Sequence, residues 1–581
     1  MTVSSRVRRL LPVTDWLLNY RRAYLADDVT AGLITAILLI PQGMAYAMLA
    51  GLPPEVGLYA SILPPIVYAL LGTSRPLSVG PVSVAALLVA NALSNVGFTP
   101  GDPQYLNDAL LLAAMTGGIL LLMAVLKLGV LVNFLGHPVL SGFTSGAAVL
   151  IIISQLPQLT GIPLPESVSS IEALAFFMLE LGQAHAPTLV FGVLSVAVLL
   201  TLKTPIGFTL RRLGASAGAA ELASRTVPLI TLTIATFSAW AFELPALGLA
   251  VVGHIPAGMP NLGLGFLDAE RAIDLLPAAI LIALIGYVES VSVAKVLAYR
   301  RRQRIRNNQE LIALGGANIA AAVSGGMPVA GGFSRSMVNY AAGARTQLAT
   351  LVAVVVVALA AMFFTPLFYY LPQTVLAAII VVAVMPLIDW RGLKRTWRYD
   401  KADAAAFLAT FFGVLVVDIE TGLILGVMVA VGTFLWRSSR PHVAEVGRLP
   451  GTEQFRNVCR HETQTWPNLL LLRVDRSLFF ANISHVEDLV AETAAERPEL
   501  QHLVLICSAV NAIDHSAVES LEQLVESLRE AGVTLHLAEV KGPVLDRLQR
   551  SHLLARLRPG RVFLSAEDAV NTLDRAADDS S

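Results

Sequence analysis

Apolar runs bounded by glycine, proline or charge recur along most of the chain, near residues 29–49, 56–71, 79–94, 109–128, 139–156, 187–203 and 226–244. A second set follows near 273–296, 308–324, 333–342, 347–365, 370–387, 403–417 and 420–437. Runs of this length and apolarity predict membrane-crossing helices, although the third and tenth are shorter than the roughly 20 residues of a full helical span. From residue 443 the pattern changes to short buried strands alternating with amphipathic helices. "NLLLLRVD" (468–475), "HLVLICSA" (502–509) and "VTLHLAEV" (533–540) predict strands, and "HSAVESLEQLVESLREAG" (515–532) predicts a helix ended by Gly532.

The pattern therefore divides the chain into an all-α polytopic membrane domain of 14 segments, residues 1–437, and a small α/β domain, residues 438–581. Composition supports that division. Of 581 residues 55% are hydrophobic and only 14% charged, with a mean hydropathy of +0.67, which no water-soluble fold of this length requires. Residues 1–437 hold 26 Lys and Arg against 21 Asp and Glu, whereas the tail holds 15 against 21. Neither part offers a basic face for nucleic acid. Cys459 and Cys507 both fall in the tail, which suits a reducing compartment, and the N-terminal stretch has no signal-peptide core before the first span.

Charge also orients the spans. With the N-terminus inside, 14 segments leave Arg271 as the only Lys or Arg in an outside loop, while Lys203, Arg211, Arg212, "YRRRQRIR" from 299, Arg345, "RGLKRTWRYDK" from 391 and Arg437 fall inside. Both termini are then cytosolic. Fourteen divides into seven plus seven, and an odd repeat must recur in the opposite sense, the inverted-repeat arrangement of secondary transporters. The two short segments hold matching places, each preceded by a Pro- and Gly-rich break: "GTSRPLSVGPVSVAALL" (72–88) and "SGGMPVAGGFSRSMV" (324–338). Irregular backbone at membrane depth is tolerated only where protein or a watery cavity satisfies it. Entering from opposite sides, the two half-helices should meet N-terminus to N-terminus near the midplane, where partial positive charge and free N–H groups suit an anion.

Arg335 lies in the first turn of the tenth segment and Ser334 beside it, so a guanidinium and a hydroxyl would join those dipoles. An arginine at the bilayer centre costs about 2.5–3.5 kcal/mol on insertion scales, which argues against an idle one. The alternative is a helix end whose arginine snorkels to the surface; the matching Gly80–Pro81 break favours the anion site. Glu289 is the acid well inside the eighth segment. Lys295 is turned about 240° away on the same helix, so Arg335 is the better partner for Glu289, either as a fixed salt bridge or as a charge released when the carboxylate takes up a proton. Gln42 and Tyr46 follow Pro41 in the first segment and could point into a cavity or bond a neighbouring helix. In the tail, Asp514 stands at a strand-to-helix turn suited to capping.

Taken in order, "PQGMAYAMLAGLPPEVGLYAS", "GTSRPLSVGPVSVAAL", "GYVESVSVAK", "GGFSRSMVN" and "AIDHSAVESL" resemble the SulP family of anion permeases, over about residues 20–575. The resemblance implies a seven-plus-seven inverted fold with core and gate domains, followed by a cytosolic STAS domain, and a homodimer in the inner (plasma) membrane. It implies an anion site made by Gln42 and Tyr46, Val82 and Ser83, and Phe333, Ser334 and Arg335, with Glu289 at the proton-coupling position. No cofactor, metal or catalytic residue is implied, and no GxxxxGK[ST] loop for a nucleotide-driven pump occurs. The implied function is proton-coupled sulfate uptake by alternating access. Bicarbonate, chloride or dicarboxylate transport, an anion channel, and a membrane-anchored scaffold for a cytosolic regulatory protein are the alternatives. One departure is that His515, with Ser516 next, stands where phosphorylatable STAS domains carry Ser or Thr directly after the Asp.

Overall fold

A computed structural model of the chain describes residues 11–95, 102–133, 136–163, 170–201, 212, 227–260 and 262–578. Lys203 and Arg211, two of the cations expected inside, lie outside the described residues. Contacts divide the chain into two compact units, Met1–Ala430 and Val431–Ser581.

Each of the 14 predicted segments contains a helix. The first seven are α1 (Leu25–Leu49), α2 (Leu63–Leu71, preceded by the short helix Pro54–Tyr59), α3 (Ser83–Asn95), α4 (Pro103–Val125), α5 (His137–Ser154), α6 (Ala186–Thr201) and α7 (Val227–Ala241). The second seven are α8 (Ala269–Arg301), α9 (Asn307–Val323), α10 (Phe333–Ala341), α11 (Leu348–Phe363), α12 (Gln373–Val384), α13 (Lys401–Val416) and α14 (Ile419–Ser439). Among the described residues, seven helices are long and apolar enough to cross a bilayer alone, while α3, α6, α7 and α11 are apolar but shorter. The ends follow local chemistry. Asp268 caps α8 by accepting from the amides of Glu270 and Arg271, and Arg300 and Arg301 occupy its last turn, matching the helix dipole at both ends.

Packing reproduces the inverted repeat. α1 packs on α11, and α8, the counterpart of α1, packs on α4, the counterpart of α11. Likewise α6 packs on α12 and α13 on α5, while α2 meets its own counterpart α9. Shifting every number by seven exchanges these pairs. They also sort the helices into a core half, α1–α4 with α8–α11, and a gate half, α5–α7 with α12 and α13, joined by α14, whose Gly422 and Gly426 lie close against Val414 and Thr410 of α13; α1 meets α12 and α3 meets α5 where the halves touch.

The two short strands of the membrane unit are β1 (Val79–Gly80) and β2 (Ala330–Gly331). The second unit carries β3 (Val443–Arg448), β4 (Phe455–Asn457), β5 (Leu469–Val474), β6 (His502–Ile506), β7 (Thr534–Ala538) and β8 (Val562–Phe563). Their order is β4-β3-β5-β6-β7-β8, with β5 to β8 parallel and β3 antiparallel to both its neighbours. Helices α15 (Ile483–Ala495), α16 (His515–Glu530) and α17 (Gly542–Gln549) bury one apolar core against the sheet, and α18 (Ala566–Asp578) buries a second with Trp466 and Phe563. Asp514 caps α16 through the Ala517 amide and also accepts from the Phe480 amide, so its carboxylate joins two turns. His515 beside it is exposed and pairs with Glu519.

His536 on β7 is buried and accepts from the Arg561 amide. Burial, with His502 and Arg561 close by, pushes its imidazole down to about 4. A free histidine titrates near 6.5, so between about 6.5 and 4 the unfolded chain binds the extra proton and stability falls as pH falls. Acidification through that window should cost up to about 3 kcal/mol. Hydrogen exchange of the β7 amides, corrected for intrinsic rates, should quicken accordingly, and His536→Phe should flatten that dependence.

Candidate functional site

The site is built where helical backbone stops. Between α2 and α3, and between α9 and α10, the chain runs irregularly, and the two breaks pair antiparallel, Val79 with Gly331 and Gly80 with Ala330. The Gly332 amide extends the pairing by donating to Ser78 O at 3.2 Å. A bond between the breaks is a bond between repeats, and it sets the starts of α3 and α10 side by side.

Side chains from surrounding helices satisfy the rest of this backbone, as a low-dielectric setting demands. Gln347 Nε2 donates to Ser74 O at 2.7 Å and Leu77 O at 3.0 Å, and Asn339 Nδ2 donates to Pro76 O at 3.1 Å. Ser336 Oγ accepts from the Ser78 amide at 2.9 Å. Asn318 clamps Val329 from both sides, donating to its carbonyl and accepting from its amide, each at 2.9 Å. Ser290 on α8 accepts from the Gly331 amide at 2.7 Å and donates to Gly286 O. At the far end of the first break the buried carboxylate of Glu310 accepts from the Tyr68 hydroxyl at 2.7 Å and from both the amide and the hydroxyl of Thr73.

Arg335 is 3% exposed, so it does not snorkel. Its guanidinium donates from Nε to Ser78 Oγ at 3.1 Å, from Nη1 to Pro81 O at 3.0 Å and from Nη2 to Ser78 O at 3.3 Å. A side chain of α10 thus holds the approach to α3. Glycine gives the guanidinium room on both flanks, because a Cβ at Gly80 or Gly332 would stand 3.2 or 3.3 Å from Nη2 and press on it. Arg335 forms no ion pair among the described residues, which rules out the fixed salt bridge to Glu289 in this conformation; the two still interact electrostatically. Glu289 is half-buried on α8, next to the Ser290 bolt.

The amides of Phe333, Ser334 and Arg335 find no acceptor among the described residues, and Gly332 supplies no side-chain cap. Those of Ser83, Val84 and Ala85 likewise have none, the first intrahelical bond being Ala86 N to Val82 O. Tyr46 and Ser83 are both buried, and Tyr46 feels the charges of Arg335 and Glu289. Val82 packs on Ala85 and Ala330 beneath them. Gln42 and Ser334 line a cavity of about 140 Å³ with Leu38, Leu199, Val227 and Ile379, so it opens between α1 and α10 of the core and α6, α7 and α12 of the gate. Phe333 is 47% exposed and does not line that cavity.

The residues that sequence inspection missed are those that bind the breaks: Ser78, Ser290, Glu310, Asn318, Ser336, Asn339 and Gln347. Each is a polar residue inside or beside an apolar run, which was the available signal.

An inverted, two-half helical fold with breaks meeting at its centre defines the class of a multi-pass membrane transporter. Residues 25–410 match the model of the sulfate permease family and residues 460–569 that of the STAS domain, and the chain belongs to the sulfate permease family. It is 35% identical to probable sulfate transporter 4.2 of Arabidopsis thaliana, over 98% of this chain and 84% of the relative. It is 31% identical to high affinity sulfate transporter 2 of Stylosanthes hamata, over 97% of this chain and 86% of the relative. Its fold is similar to that of the murine solute carrier 26 family member A9 anion transporter in the inward-facing state, with a TM-score of 0.87, 22% identity, and 98% and 95% of the two chains covered. The transmembrane domain of the cyanobacterium bicarbonate transporter BicA gives a TM-score of 0.57 at 22% identity, over 71% of this chain and 98% of that one.

Ser290→Ala would leave the Gly331 amide buried without an acceptor, at about 1–3 kcal/mol. A lower unfolding midpoint in detergent together with weaker anion binding is expected; a change in neither would show that the bolt does not hold β2.

Proposed function

We propose that the protein is a secondary active transporter that takes up sulfate together with protons across the inner (plasma) membrane, with both termini and the STAS domain in the cytosol. One observation carries this reading: among the described residues, two sets of first-turn amides without protein acceptors start at the paired breaks, with the buried Arg335 guanidinium beside them in no ion pair. A desolvated positive site without a protein carboxylate on it suits an anion. The names of eight relatives, each a sulfate transporter at 30–35% identity over 97–98% of this chain, point to sulfate.

In this reading the anion takes its hydrogen bonds from the amides of residues 83–85 and 333–335 and from the hydroxyls of Ser83 and Ser334, with Tyr46, Gln42, Val82 and Phe333 shaping the site. Arg335 acts mainly through charge and position, because three of its five N–H groups are already engaged. Glu289 supplies coupling. Ionised, it offsets the Arg335 charge and weakens the anion's hold; protonated, it leaves that charge to the anion, so proton and anion bind together. Transport follows when the core half, carrying the site, moves against the gate half across the cavity lined by Gln42 and Ser334. A homodimer and a regulatory protein on the STAS domain complete the proposal.

Two variants test it in purified protein and proteoliposomes. Arg335→Ala should weaken saturable sulfate binding at least about tenfold, the worth of one buried charge-assisted contact, and an unchanged affinity contradicts the site. Glu289→Gln should retain binding and exchange while uptake loses its response to an inward proton gradient; persistence of that response contradicts proton coupling. Trans-stimulated exchange of labelled sulfate is expected of a carrier and separates it from a channel.

A further inference from the structure

Between α12 and α13 the chain forms a second kind of helix, Trp390–Tyr399, with the sequence "WRGLKRTWRY". It is joined to α12 by the five residues 385–389 and to α13 by Asp400 alone, so both ends are tied to helices of the membrane unit. Four cations in ten residues suit the surface of a bilayer rather than its interior. Asp389 caps it by accepting from the Gly392 amide at 2.7 Å, and the Asp389 amide donates to Ser145 on α5 at 3.1 Å. The helix packs on α13 and α5, so it is part of the gate half.

Its faces divide cleanly. Gly392 is buried, and Leu393 and Thr396 half-buried, against the protein. At about 100° per residue, Trp390 and Trp397 project about 20° apart beside that face, and both remain exposed, at 60% and 52%. Arg391, Lys394, Arg395 and Arg398 fill the next arc of about 100°; all four are exposed and none forms an ion pair among the described residues. The neighbouring acid Asp389 directs its carboxylate at a helix amide instead.

We propose that this helix grips anionic phospholipid headgroups and so fastens the gate half to the leaflet while the core half moves. The two indoles sit at the depth where such rings partition, and the four cations beside them meet headgroup phosphates. An acidic protein partner would complement the cations but leaves two exposed tryptophans next to them without a role. The attachment of both helix ends to bilayer-spanning segments fits the lipid surface.

The test uses the full-length protein in phosphatidylcholine vesicles in which a minor share of the lipid is phosphatidylglycerol, with brominated acyl chains on one lipid or the other. Quenching of Trp390 and Trp397, isolated as the difference from the Trp390→Phe/Trp397→Phe variant, reports the lipid beside the helix. Phosphatidylglycerol should be enriched there about fivefold or more over bulk, a modest demand for four cations near a surface. The enrichment should collapse in high salt and in the Arg391→Gln/Lys394→Gln/Arg395→Gln/Arg398→Gln variant, and persist when the three arginines are replaced by lysine. Quenching by the brominated phosphatidylglycerol no greater than its share of the bulk lipid accounts for, or enrichment insensitive to salt in the unaltered protein, overturns the proposal whether or not the quadruple variant folds.

Discussion

A backbone that leaves its helix at membrane depth must find partners for every exposed amide and carbonyl, and this structure meets that constraint by making two breaks satisfy each other. The β1–β2 pairing is only two residues long on each side. It is sufficient because Ser78, Ser290, Asn318, Ser336, Asn339 and Gln347 take up the surrounding groups and the Arg335 guanidinium ties α10 to the residues before α3. The unpaired first-turn amides of α3 and α10 are the remainder of that satisfaction, left pointing where a bound anion is proposed to complete it.

The same constraint explains the division into halves. Breaks held by so many cross-repeat bonds behave as one body with α1, α2, α4, α8, α9 and α11. The gate half meets that body through a largely apolar cavity lined by Leu38, Leu199, Val227 and Ile379, with Gln42 and Ser334 as its polar members. Largely apolar contact of this kind is a boundary across which a body can slide, whereas the pairing of the breaks is not. Fastening of the gate at the Trp390–Tyr399 helix would leave the core as the moving part.

How much was legible in the sequence follows from the range of the interactions. Periodicity located all 14 segments, because each is a local apolar run, and the Pro- and Gly-rich stretches before the third and tenth marked both breaks. Their meeting followed from topology. The bonds of Arg335 could not be read, since its acceptors lie 254 and 257 residues away and Ser78 and Pro81 carry no mark of the role. The expected open guanidinium is accordingly a tethered one. In the STAS domain the buried strands β5, β6 and β7 were legible as apolar runs, whereas β3, β4 and β8 are strands whose sequence pattern depends on neighbours. The Trp390–Tyr399 helix was seen only as a charged loop, because ten residues are too few to establish a period against two flanking apolar spans.

The central claim is that α3 and α10 present their amide ends to one anion. Backbone nitrogen-15 shifts of residues 83–85 and 333–335, followed by NMR while sulfate is titrated into the lipid-embedded protein, test it most directly. Both groups should move along a single saturation curve with one midpoint. Movement of one group alone, separate midpoints, or no movement of either during saturable uptake would contradict it.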